Sequence, residues 1–166
     1  MPEAQITDKT EAAMFLSEMM WESGGLIYKR ELACVDTGCP GVYDDSVGAP
    51  GQTYYGRGYI QLTHSYKYKA ASLDLYNDLR LIDNPDLVAT DENTAWAVSS
   101  WFWKVNVHSR PGVQAHQFGD ATKAINSMEC TAEGFEQAHK RFGIYQKVLV
   151  AFHINESANE SGCYNV

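Results

Sequence analysis

Two carboxylates stand nine residues apart on either side of a glycine pair: Glu22 in Trp21-Glu22-Ser23-Gly24-Gly25, and Glu31 in Arg30-Glu31-Leu32. The first falls where a helix should end. There the negative end of the helix dipole and a neighbouring indole both favour the protonated acid, the form a general acid needs at neutral pH. The Gly-Gly turn can carry Glu31 across from Glu22 instead of stacking it on the same helix face. Two carboxyl groups facing one another are the minimal equipment for breaking a glycosidic bond, and a separation of about 6.5–9.5 Å would leave room for a water and predict inversion. The plain alternative is a solvated helix-end Glu and a surface Glu31 offset by Lys29 and Arg30. A third feature is Tyr54-Tyr55-Gly56-Arg57-Gly58-Tyr59-Ile60-Gln61-Leu62-Thr63. Its glycines let backbone pass close to another group, and Gln61 and Thr63 alternate onto one side. A nucleotide loop is excluded, since neither a Gly-x-Gly-x-x-Gly nor a Lys-Ser/Thr ending is present.

The elements that must position these residues read as helices. Thr10 is expected to cap a first helix carrying Ala12, Phe15, Leu16 and Met19 on one stripe and stopping near Ser23 at Gly24-Gly25. The Gly-, Pro- and Asp-rich stretch from Cys34 to Gly58 reads as a long loop, a kind of segment that is usually functional. A second helix is predicted from Thr63 to about Leu79, followed by a turn at Asn84-Pro85-Asp86. A third opens at Thr90-Asp91-Glu92 and reaches Lys104, with Ala95, Val98, Trp101 and Phe102 inward. At least two of Trp96, Trp101 and Trp103 are expected in the core. Asp120 to Asn126 reads as a short helix. Thr131 is expected to cap a long last one with Phe135, Ala138, Phe142, Tyr145, Leu149 and Phe152 on its stripe. No stretch alternates convincingly, so any sheet is small.

Composition narrows the classes. The chain has 166 residues, 45% hydrophobic and 20% charged, which fits one globular domain. A net charge of −8 argues against a nucleic-acid binder, and no apolar run exceeds five residues, so no membrane span is expected. Ten Tyr, six Phe and four Trp suit the wall of a ligand groove, although most belong to the core. Of Tyr54 and Tyr55, either of which could stack on a sugar, one is expected to be buried. None of the five His residues makes a metal-ligand pattern, and the four cysteines, Cys34, Cys39, Cys130 and Cys163, do not have zinc spacing. They allow three pairings, and two disulfides are favoured over free thiols. The sequons Asn155-Glu156-Ser157 and Asn159-Glu160-Ser161 point the same way, to secretion, although no signal peptide is visible.

The YYGRGYIQLT stretch, preceded by Phe15-Leu16 and Glu22-Ser23-Gly24-Gly25, resembles glycoside hydrolase family 19, the chitinases and related endolysins. Trp101-Phe102-Trp103, Ala124-Ile125-Asn126 with Glu129-Cys130, and Arg141-Phe142-Gly143-Ile144-Tyr145 continue the likeness in order, over roughly residues 10–152. The resemblance implies a mainly α, two-lobed, lysozyme-like fold with a substrate groove between the lobes and long irregular loops. It implies a single catalytic domain over 1–166, without the additional N-terminal helical segment of many members.

Carried over residue by residue, the resemblance makes Glu22 the general acid and Glu31 the base that activates water, with the Thr63 hydroxyl holding that water. Gln61 would contact sugar, Asn126 would hydrogen-bond an acetamido group, and Arg141 would support the acidic cluster. Arg57 would pin the loop. Tyr55 and Lys67 are the remaining candidates at the subsites. Cys130–Cys163 would match the disulfide of plant-like members, leaving Cys34–Cys39 as a small local loop. The implied reaction is inverting endo-hydrolysis of β-1,4-linked N-acetylglucosamine polymers, needing no metal or cofactor, by a secreted monomer acting on chitin or chito-oligosaccharide. The alternatives are a peptidoglycan hydrolase of endolysin type and a catalytically inactive, lectin-like chitin binder on the same scaffold. The chain departs from the family pattern at Trp21, where a His is common, and at Lys67, where an Asn is common. It departs again at Ser127-Met128, which stand where a Gly pair often follows the Asn.

Overall fold

A computed structural model describes residues 2–164, which are mainly helical. Eight α-helices follow in order: α1 Lys9–Glu22, α2 Ser65–Tyr76, α3 Arg80–Asp83, α4 Leu87–Thr90, α5 Glu92–Asn106, α6 Pro111–Gln114, α7 Phe118–Ile125 and α8 Phe135–Ala151. Among the described residues β pairing is limited to isolated bridges, as the lack of alternation predicts. No helix of the described residues is long and apolar enough to cross a membrane. The chain divides into two compact units, Glu22–Trp101 and a second assembled from Met1–Trp21 with Phe102–Val166.

The discontinuous unit is built around α1, the end of α5, α7 and α8. Asp8, not Thr10, caps α1: its carboxylate accepts the Glu11 amide at 2.8 Å, while the Thr10 hydroxyl donates to Glu156 at 2.9 Å. The helix therefore starts two residues earlier than predicted, because a carboxylate two positions upstream competes better for a free amide than the Thr hydroxyl does. Phe15 meets Trp103 edge to face at 5.4 Å, and Phe118 stacks on Tyr145 at 4.6 Å. The Trp103 indole N–H donates to buried Glu11, which also pairs with His108. Thr131 does not cap α8. Its hydroxyl turns back onto the Met128 carbonyl, and the helix begins at Phe135 after Gly134. Phe135 is accordingly exposed, whereas Ala138, Phe142, Tyr145 and Leu149 are buried as the stripe requires. Cys130 and Cys163 form a disulfide that ties the turn before α8 to the C-terminal tail.

That tail is also clasped at His116, whose imidazole contacts Glu156 at 2.9 Å and Asp8 at 3.3 Å. Burial disfavours its protonation, but Glu156 and Asp8 outweigh burial and lift its pKa above the ordinary value. The clasp therefore contributes fully below the ordinary histidine pKa and is lost as pH rises through the elevated folded value.

In the continuous unit, Arg57 is 4% exposed and occupies the centre. Its guanidinium donates to Asp86 at 2.7 Å, to the carbonyls of Thr53 and Tyr55, and to the Tyr68 hydroxyl, and lies 3.7 Å over the Tyr55 ring. Tyr68 in turn donates to the Tyr55 carbonyl, and Tyr54 to the Ile82 carbonyl. Backbone bridges join Arg57 to both Arg30 and Leu62. Helix α2 is shorter than predicted and ends at Asn77 in a left-handed conformation, with α3 a separate turn. Asp91 caps α5 through the Thr94 amide at 2.8 Å. Trp101 and Trp103 are buried, each in its own unit, and Trp96 is half-buried with its N–H on Glu92.

Arg57→Met should destabilise the chain by about 2–4 kcal/mol, because it strips donors from buried carbonyls that nothing replaces. Thermal unfolding measures this, and a wild-type-like Tm would contradict the central role given to Arg57. His116→Gln should lower Tm by about 1–3 °C near pH 5.5, with the deficit fading as pH is raised. A deficit that grows with pH would reverse the sign argued above.

Candidate functional site

Helix α1 ends as the sequence requires. The Ser23 carbonyl accepts the amides of Ile27 and Tyr28, and its hydroxyl accepts the Leu26 amide at 2.9 Å. Gly24 and Gly25 take positive φ values of +60° and +83°. A side chain at Gly24 would also strike the Tyr28 ring at 2.8 Å. Glu22 is thereby held, half-buried, in the last turn of α1, and it is the first residue of the continuous unit.

Glu31 lies beyond that turn, half-buried, and is fixed from two sides. Its amide donates to the Gly56 carbonyl at 2.8 Å, and the Gly56 amide donates back to its carboxylate Oε2 at 3.1 Å. The Tyr43 hydroxyl stands 2.9 Å from each carboxylate oxygen. Burial and the adjacent Glu31 charge push the Tyr43 pKa up to about 12, so it remains a donor throughout the neutral range. Lys29 and Arg30 do not offset Glu31: Lys29 pairs with Glu92 and Arg30 with Asp86.

Gly56 is a close approach. A Cβ there would sit 2.8 Å from Gln61 Oε1 and 3.2 Å from Glu31 Oε2, so the Gly-Arg-Gly turn brings Glu31 and Gln61 together across a position with no room for a side chain. Gln61 itself has a positive φ of +54°, and its amide group donates to the Gly58 carbonyl at 2.9 Å. Thr63 follows, half-exposed, just before α2. Lys67 is half-buried on α2, with its ammonium 6.0 Å from the Tyr66 ring centre, and burial lowers its pKa. One of Tyr54 and Tyr55 is expected to be buried, and both are. Tyr55 is 6% exposed and has Arg57 against its ring, which leaves little aromatic surface for a sugar.

Asn126 and Arg141 belong to the other unit. Arg141 is 1% exposed and bridges two acids, Glu18 at 2.5 Å and Glu129 at 2.7 Å, while Asn126 donates to Glu129 at 3.0 Å. Glu18 lies fully buried and also accepts from the Thr122 hydroxyl at 2.7 Å. Desolvation raises its pKa against the opposing pull of Arg141. Trp21 packs beside the same guanidinium, 5.5 Å from its ring centre. The cysteines pair as Cys34–Cys39 and Cys130–Cys163.

Tyr43 and Glu18 are the residues that sequence reasoning missed. Tyr43 sits in an aperiodic loop, twelve residues from its partner, and carries no spacing signal. Glu18 is four residues before Glu22, on the face that α1 buries, and only its later pairing with Arg141 marks it.

Residues 4–121 match the family profile described as chitinase class I, glycoside hydrolase family 19. The chain belongs to glycoside hydrolase family 19. It is 35% identical over 158 residues to acidic endochitinase SP2 of Beta vulgaris, covering 92% of this chain and 52% of that protein. It is 31% identical to endochitinase A of Zea mays, covering 93% and 54%. The chain thus spans about half the length of these relatives. Among solved structures, the family 19 class IV chitinase from Zea mays superposes with a TM-score of 0.79 at 27% identity, covering 96% of this chain and 78% of that one. Chitinase C from Streptomyces griseus gives 0.77 at 28%, covering 96% and 67%. The family profile takes in Glu22, Glu31, Gln61 and Thr63 but stops short of Asn126 and Arg141.

Arg141→Leu should destabilise the chain by about 3–5 kcal/mol, a fall of roughly 10 °C in Tm, because it leaves Glu18 buried without its counter-charge. Calorimetry of the variant measures the loss, and stability equal to wild type would mean that Glu18 does not need the pair.

Proposed function

We propose that this chain is an endo-acting hydrolase of β-1,4-linked N-acetylglucosamine polymers that inverts the anomeric centre. The observation that carries this reading is the fixing of Glu31 by the Gly56 amide and the Tyr43 hydroxyl, beside the Gly-Arg-Gly turn of the family motif and in the same unit as Glu22. A general base must be held in place before substrate arrives, and Glu31 is.

In this reading Glu22 protonates the glycosidic oxygen as the bond to the anomeric carbon breaks. Glu31 removes a proton from the water that attacks the opposite face, and the Thr63 hydroxyl helps hold that water. Gln61 contacts sugar and Asn126 an acetamido group, while Arg141 keeps Glu129 in place for Asn126. Chitin is favoured as substrate because the relatives of Beta vulgaris and Zea mays are endochitinases by name. Two disulfides support a secreted protein, since such bonds persist in oxidising compartments. The chain is taken to act as a monomer.

The test is hydrolysis of a chitin hexamer with product anomers followed by NMR, for wild type and Glu22→Gln. The α-anomer should form first, and Glu22→Gln should lower the rate by about 10²–10⁴-fold. Initial β-anomer would overturn inversion. Binding of the hexamer without turnover by the wild type would point to the lectin-like reading, and turnover of peptidoglycan in place of chitin to the endolysin-type one.

A further inference from the structure

Glu31 does not present its two oxygens equally. Oε2 accepts both the Gly56 amide at 3.1 Å and the Tyr43 hydroxyl at 2.9 Å, whereas Oε1 accepts, among the described residues, only the shared Tyr43 proton at 2.9 Å. Each carboxylate oxygen offers about two acceptor directions. The one Tyr43 proton is shared between them, so the Gly56 amide makes Oε2 the more occupied oxygen and leaves Oε1 the more open.

Tyr43 is itself held before any ligand binds. Its ring packs edge to face on His64 at 5.4 Å. The next residue, Asp44, is locked to the start of α2: its amide donates to His64 Nδ1 at 3.1 Å, its carbonyl accepts the Ser65 amide at 2.8 Å, and its carboxylate accepts the Ser65 hydroxyl at 3.0 Å. The Cys34–Cys39 disulfide closes the same loop on its other side. A tyrosine whose backbone and ring are both fixed can impose its geometry on the carboxylate it binds.

Resting on the reading of Glu31 as the base, we propose that Tyr43 is a positioning residue for it. The Tyr43 hydroxyl and the Gly56 amide clamp the carboxylate and leave Oε1 as the oxygen that takes the proton from the attacking water. Tyr43 neither touches sugar nor transfers a proton; its effect passes through Glu31. The rate should therefore fall without a change in substrate binding.

The test compares wild type, Tyr43→Phe and Tyr43→Ala on the chitin hexamer, together with crystal structures of wild type and Tyr43→Phe. Phe keeps the ring on His64 and removes only the hydroxyl. We expect Tyr43→Phe to lower kcat by about 10–100-fold with KM within about twofold, the size expected for losing one hydrogen bond to a charged group. We also expect its Tm to stay near wild type, and Glu31 to leave its single rotamer. If Phe restores to the Ala variant the full wild-type kcat, the ring alone matters and the proposal is overturned. A rise in KM with unchanged kcat would overturn it as well, by making Tyr43 a sugar contact. Should the wild type itself fail to hydrolyse the hexamer, the proposed activity falls. The crystal structures then decide alone: an unmoved Glu31 in Tyr43→Phe overturns the positioning role, and a displaced one supports it.

Discussion

The continuous unit depends on one buried guanidinium. Arg57 has five donor hydrogens and the interior supplies the acceptors: two carbonyls, a tyrosine hydroxyl and Asp86. The carbonyls belong to Thr53 and Tyr55, on the strand-like approach to Gly56, and the bridge partners Arg30 and Leu62 flank the residues that carry the chemistry. Placing Arg57 thus fixes Glu31, one residue after Arg30, and Gln61, one before Leu62. A charge buried this deeply is tolerated because its Nε and Nη1 donors meet Asp86, two carbonyls and the Tyr68 hydroxyl, and because Arg30 helps hold Asp86 ionised. The two glycines beside Arg57 then become intelligible: the turn is drawn inward by its side chain, and the backbone on either side has no space for another.

The discontinuous unit solves a similar problem with the signs reversed. There the fully buried group is the Glu18 carboxylate, and Arg141 is shared between it and Glu129. Glu129 passes the constraint on to Asn126. Trp21, which stands where the family commonly has His, spends part of its surface covering that guanidinium. The substitution is therefore accommodated by packing on a cation, an arrangement an indole suits better than an imidazole. Lys67, another departure, lies half-buried along α2 with its ammonium near Tyr66.

Much of this was legible in the sequence because it is local. The end of α1 at Glu22 followed from Gly24-Gly25 and the inward face of α5 from its period, while the loop-pinning role of Arg57 came from the family resemblance. Helix starts were less legible, since Asp8, Thr10 and Thr131 are all competent caps and only the surrounding contacts decide which is used. Burial of both Tyr54 and Tyr55 was hidden too, because their partners, Ile82 and Arg57, approach from different elements. Tyr43 shows the limit most sharply. A residue in a loop without periodicity acquires its role from a contact that no spacing rule encodes.

The order of segments along the chain has a consequence for how the molecule comes into being. Residues 22–101 form one unit from continuous sequence, whereas the other must wait: Phe15 needs Trp103, and Glu18 needs Arg141, 123 residues further on. During synthesis α1 leaves the ribosome long before its partners exist, so an apolar stripe and a carboxylate destined for full burial stay in water while the whole middle of the chain is made. Closing so long a loop is slow. The Cys130–Cys163 bond, which spans only the final segment, can form only after that segment has emerged. A nascent chain halted between the two segments would thus hold its proposed base in a nearly finished setting while α1 remained exposed, a state that quality-control machinery is built to notice.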